Sequence, residues 1–144
     1  MTSDNVRLLV AATLTIHGLG HGGALGALLW LKFRPADNTG GWLAARSWLL
    51  ASLPAPTATT LAGAFWILAM VGFVAAALSF GGMLLPGELW RALALGSSIV
   101  SLVGVTLFLG TWPIFNTVAA IAVNVAVLAT QLWLRWPPQA MFGR

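Results

Sequence analysis

Hydrophobic residues run almost unbroken along this chain, and the few charged ones divide it into long apolar segments. The charges are Asp4, Arg7, Lys32, Arg34, Asp37, Arg46, Glu88, Arg91, Arg135 and Arg144, which leaves charge-free runs at 8–31, 47–87 and 92–134. A helix that crosses a bilayer needs about 20 mostly apolar residues at a rise of 1.5 Å each. The first run predicts one such helix, near 7–31. The third is twice that length and must fold back; Gly110-Thr111-Trp112-Pro113 is the place to turn, with Thr111 as cap and Pro113 as first helical residue. Pro54 and Pro56 resist helix continuation, so the second run is expected to span from about Thr59 to Phe80. Gly81-Gly82 ends that span, and Pro86-Gly87-Glu88 opens the next, with Glu88 favourably placed in a first turn.

The pattern predicts an all-α integral membrane protein: a single domain with a four-transmembrane-helix bundle, its spans near 7–31, 59–80, 88–110 and 113–135. The connection 33–57 is the only extended one. Within it, 42–53 (WLAARSWLLASL) groups Trp42, Leu43, Leu49, Leu50 and Leu53 at helical spacing. It is expected to form a short interfacial helix between helices 1 and 2; a loop packed on a partner subunit is the alternative. Trp30, Trp90, Trp112, Trp133 and Trp136 fall at predicted span ends, where indole prefers the headgroup level. Trp66 alone falls inside a span.

Composition agrees with the pattern. The 144 residues are 59% hydrophobic and 7% charged, against about 25% charged in soluble domains. A soluble globule, a disordered tail and a nucleic-acid binder are all excluded on that ground. The net charge of +4 forms no basic patch, because the seven Lys and Arg residues are spread over the chain. The first span is too long for a cleaved signal peptide, and it carries two histidines. There is no cysteine, which removes disulfides, thiol chemistry and iron–sulfur ligation and leaves the redox compartment open. The basic residues divide nearly evenly between the two sides, with a slight lean to both termini in the cytoplasm and the chain in the cytoplasmic (inner) membrane.

Polar side chains inside a span face other helices or a cavity, because lipid offers no hydrogen bonds. On helix 1, His17 and His21 lie one turn apart, about 6 Å along the axis, on one face. Thr13 extends that stripe. Beside it, Gly18, Gly22 and Gly26 form a small-xxx-small ridge suited to close helix packing. Helix 4 carries Thr117, Asn124 and Gln131 at heptad spacing, with Asn116 nearby. Helix 3 adds Ser97, Ser98, Ser101 and Thr106, and helix 2 is nearly all apolar, with Met70 near its middle. The simplest bundle sets the glycines and histidines of helix 1 against the Asn/Gln face of helix 4.

The histidine pair, with Asn124 and Met70, is the candidate ligand site. A metal is one option, since His at i, i+4 is a known ligand spacing. No Cys, Asp or Glu falls inside a predicted span to complete it, and Gly18 stands where a zinc protease has Glu. A tetrapyrrole is a second, with one His and Met70 as axial ligands. A quinone or similar apolar ligand, hydrogen-bonded with help from Asn124 and Gln131, is a third. Two neutral imidazoles satisfied by Asn124 and Ser101 alone is the structural alternative. Ser-His-Asp and paired-carboxylate catalysis lack an intramembrane acid, and the glycines of helix 1 follow no strand and so form no dinucleotide loop. The chain therefore reads as non-catalytic.

At His17-Gly18-Leu19 the sequence resembles the DoxX-like small bacterial membrane proteins, which share its size, four spans and a His-Gly-Leu-like stretch on the first helix. Some members of that group are associated with membrane redox complexes and most have no established activity, so the resemblance implies at most a place beside such a complex. With no catalytic constellation and a glycine-rich packing face, the leading expectation is a small polytopic accessory or structural subunit that packs against other membrane subunits or its own copies. A ligand- or cofactor-binding bundle centred on the histidines and a small transporter or proton-conducting bundle are the alternatives.

Overall fold

A computed structural model describes residues 2–32, 47–109 and 111–138. Four helices account for most of them: α1 (Ser3–Lys32), α2 (Ala55–Phe80), α3 (Trp90–Leu107) and α4 (Ile114–Leu132). A single 3-10 turn, Gly87–Leu89, leads into α3. All four are long and apolar enough to cross a membrane, and among the described residues there is no strand. Large apolar side chains face outward on each, among them Ile16, Leu19, Leu68, Val71, Ile99, Phe115 and Val118. A water-soluble monomer does not present apolar surface on that scale.

Local chemistry explains the helix ends, and in two places differs from the expectation. α2 starts at Ala55 rather than Thr59, with Pro54 as N-cap and Pro56 in its first turn. Proline is tolerated there because first-turn N–H groups have no intrahelical acceptor to lose. The helix stops where Gly82 takes a left-handed φ of 67°. Met83 N–H then bonds Leu78 O at 2.8 Å and Gly82 N–H bonds Ser79 O at 3.0 Å, a Schellman closure that glycine makes without steric cost. α4 begins after Pro113, which is its N-cap and not its first residue. The Thr111 hydroxyl does not cap it; it is buried without a partner among the described residues. Of the expected interfacial helix 42–53, residues 47–53 run through bends and turns, and 42–46 lie outside the described residues.

Two apolar clusters show how the helices run. One joins Leu14 of α1 to Phe73, Ala77 and Phe80 of α2 and Trp90 and Ala94 of α3. The other joins Ala58, Ala62 and Trp66 of α2 to Phe108, with Ala24, Leu107 and Trp112 packed against it. Early residues of α1 thus meet late residues of α2, as an alternating up-and-down bundle requires. Trp90 accordingly sits in the core, edge-on to Phe80 at 5.0 Å and 2% exposed, and does not serve as an interfacial anchor. Trp133, 82% exposed, faces outward at the end of α4. The last described residues fold back: Arg91 donates to the carbonyls of Arg135 (2.9 Å) and Pro137 (2.7 Å).

α1 packs on α2, α2 on α3 and α3 on α4. The α1–α4 seam is different. There the backbones stay apart and two cavities open between them, of about 590 and 220 Å³.

Candidate functional site

α4 buries no apolar side chain among its described residues; its buried positions are Thr117, Asn124 and Gln131. Their seven-residue spacing returns them to one face, which looks across the seam at α1. Asn124, fully buried, bridges three helices. Its Oδ1 accepts from Nε2–H of His17 at 3.1 Å, and its Nδ2 donates to Ser101 Oγ of α3 at 2.7 Å. Ser101 in turn lies 3.0 Å from Nε2 of His21. The four side chains form one chain of hydrogen bonds, His17–Asn124–Ser101–His21, placed between the two apolar clusters.

Aromatic contacts fix the rings. Their centroids are 5.1 Å apart, edge to face. Phe73 of α2, itself unexposed, meets His17 edge-on at 4.7 Å and lies parallel to His21 at 6.2 Å. Sequence reasoning missed Phe73, since one of four aromatics on a nearly all-apolar helix carries no signal.

The glycine ridge does not face α4. A Cβ on Gly18 would stand 3.1 Å from both Met70 O and Phe73 Cβ, and one on Gly22 would stand 2.6 Å from Met70 Sδ. These two glycines let α2 close on α1 and press Phe73 against the imidazoles. Gly26 has no such neighbour among the described residues. Met70 is accordingly spent on the α1–α2 contact and does not line the larger cavity.

The larger cavity is the chamber these groups look into. Both histidines line it, with Gly20, Gly23, Thr13, Asn116, Thr117 and Ala120; Trp66 and Trp112 supply aromatic wall, and the exposed Phe115 stands at its open side. Trp66 and Trp112 meet edge to face at 5.1 Å. Its volume falls within the range of about 300–1,000 Å³ typical of small-molecule sites. The hydroxyls of Thr13 and Thr117 bond their own helix at Leu9 O (2.8 Å) and Pro113 O (3.3 Å), which spends their hydrogens locally. Gln131 belongs to the smaller cavity and donates to Trp136 O at 2.7 Å.

The donor set bears on the options for the site. Among the described residues no three His, Cys, Asp or Glu side chains gather. A cation held by both rings would also need a free lone pair on each, and in this arrangement Nε2 of His21 already accepts from Ser101 while Nε2 of His17 carries a hydrogen to Asn124. The arrangement instead resembles an apolar ligand site with a few convergent polar groups. Comparison with known proteins matched no protein family, no curated protein and no solved structure.

Proposed function

We propose that this chain is a multi-pass membrane protein that binds an apolar, ring-bearing ligand of the quinone class in the chamber between α1 and α4. One observation carries the reading: both histidines of the chain line the seam that α1 and α4 leave open among the described residues, beside the indoles of Trp66 and Trp112. Asn124 and Ser101 satisfy one nitrogen of each ring, as the structural alternative expected, but a packing core needs no such space beside them, and two ionisable rings inside a span call for a reason. The ridge that suggested a partner-facing surface is used inside the chain, since Gly18 and Gly22 receive α2. This moves the weight from an accessory subunit to a binding bundle. Association with other membrane subunits beside a redox complex, and a cytoplasmic-membrane location with both termini inside, remain compatible proposals. Native mass measurement after gentle solubilisation tests the first, and a monomer without partners refutes it.

The binding reading is tested on protein purified in lipid nanodiscs and extracted with organic solvent. Wild type should release a ring-bearing apolar compound near one per chain. Gly20→Phe should release none, because Gly20 lines the chamber and its Cβ would enter open space, so the new ring fills the site. Equal extracts from both proteins refute the proposal.

A further inference from the structure

We infer that the chamber selects its ligand through a group that donates and accepts a hydrogen bond at once, an aromatic hydroxyl, held between Nδ1 of His17 and Nδ1 of His21. The inference rests on the binding reading above and names the ligand class within it.

The argument follows the hydrogens along the four-residue chain. Nε2–H of His17 donates to Asn124 Oδ1, since a carbonyl oxygen only accepts. Asn124 Nδ2 donates to Ser101 Oγ, which leaves the serine hydrogen one acceptor, Nε2 of His21. A neutral imidazole carries one N–H. His17 therefore holds its proton on Nε2 and has a bare Nδ1, and His21 has a bare Nε2 and holds its proton on Nδ1.

Turning the Asn124 amide over reverses every bond and satisfies every group again. His21 then donates to Ser101, Ser101 to the amide oxygen, and the amide N–H to His17. The two rings exchange roles, and the result is unchanged in kind. In either sense they hold opposite tautomers, so one Nδ1 is a donor and the other an acceptor. Among the described residues neither Nδ1 meets a partner, while both rings line the chamber.

That pair has a definite chemical preference. A carbonyl or an ether accepts only and leaves the bare Nδ1 unsatisfied. A hydroxyl donates to one ring and accepts from the other, at about 2.8 Å each, and the ring centroids lie 5.1 Å apart. The ring that bears the hydroxyl finds Trp66, Trp112 and Phe115 beside it. Of a quinone-type couple, the site thus prefers the reduced, hydroxyl-bearing form. Leaving a buried partner unpaired is what makes such sites reject analogues.

Two measurements test this. Nitrogen-15 NMR of histidine-labelled protein in nanodiscs reads the tautomers without a ligand; one Nε2–H ring and one Nδ1–H ring are expected, and two rings of the same tautomer overturn the inference. Binding of 1-naphthol, 1-methoxynaphthalene and naphthalene is then measured in nanodiscs, with Gly20→Phe as the blank for partition into lipid. The naphthol should bind at least tenfold more tightly than its methyl ether. Equal affinities that vanish in Gly20→Phe overturn the hydroxyl preference and leave the chamber reading standing. No difference from Gly20→Phe for any probe overturns both.

Discussion

Replacing Asn124 by alanine removes the middle of the polar chain. The side chain is fully buried and makes two interhelical hydrogen bonds, to His17 at 3.1 Å and Ser101 at 2.7 Å. Such bonds in membrane proteins average about 0.6 kcal/mol and reach about 1.7. Two of them predict a loss of about 1–3 kcal/mol, since His17 Nε2–H is also left without its acceptor. Ser101→Ala should cost a similar amount, because it orphans Nε2 of His21 and one amide hydrogen of Asn124. The two share a bond, so the double variant should cost less than the sum, with a coupling of about 0.5–2 kcal/mol. Reversible unfolding in mixed micelles, followed by tryptophan fluorescence, supplies all three values. Thr130→Val is the control: its hydroxyl bonds only carbonyls of its own helix, at Ala126 and Val127, and its loss should lie within about 0.5 kcal/mol of zero. Strict additivity of Asn124→Ala and Ser101→Ala, or an Asn124→Ala protein as stable as wild type, refutes a continuous network.

Two glycines two residues apart should respond in opposite directions in the same assay. Gly18→Ala forces α2 away at the Met70 carbonyl and should cost about 1–3 kcal/mol, whereas Gly20→Ala meets open space and gains up to about 1 kcal/mol of helix propensity. Gln131→Met should be close to neutral in stability, because it gives up the bond to Trp136 O but also removes a buried Oε1 that has no partner. Arg91→Met should speed proteolysis after Leu132 with helix content unchanged, as it releases the carbonyls of Arg135 and Pro137 that hold the last described segment.

Much of the bundle was legible from where charge is missing. The runs 8–31, 47–87 and 92–134 contain the apolar parts of all four helices, and Gly81-Gly82 and Pro113 mark ends that the structure also uses. The error at the start of α2 came from treating Pro56 as a breaker when its position in the first turn made it harmless. The polar stripe on α4 was equally legible, because a seven-residue spacing on a helix can only be one face. Trp90 was not: a tryptophan at a span end prefers the interface on average, but here Leu14, Phe80 and Ala94 build a pocket around it.

Sequence by itself determined the helices, their number, and which residues had to avoid lipid. These follow from terms that are local along the chain: the rise per residue, the cost of a charge in hydrocarbon, and the backbone limits of proline and glycine. Which faces meet was decided by the tertiary structure alone. Glycines and histidines share one helix, yet Gly18 and Gly22 turn to Met70 and Phe73 while His17 and His21 turn to Asn124 and Ser101. Neighbouring positions on a helix differ by about 100° in direction, so partner choice depends on the rotation of α1 in the bundle, a property of all four helices at once. The open seam between α1 and α4 has the same origin. No single helix encodes a cavity; it is what remains when close packing of α1 on α2 and α3 on α4 sets the distance between the other two.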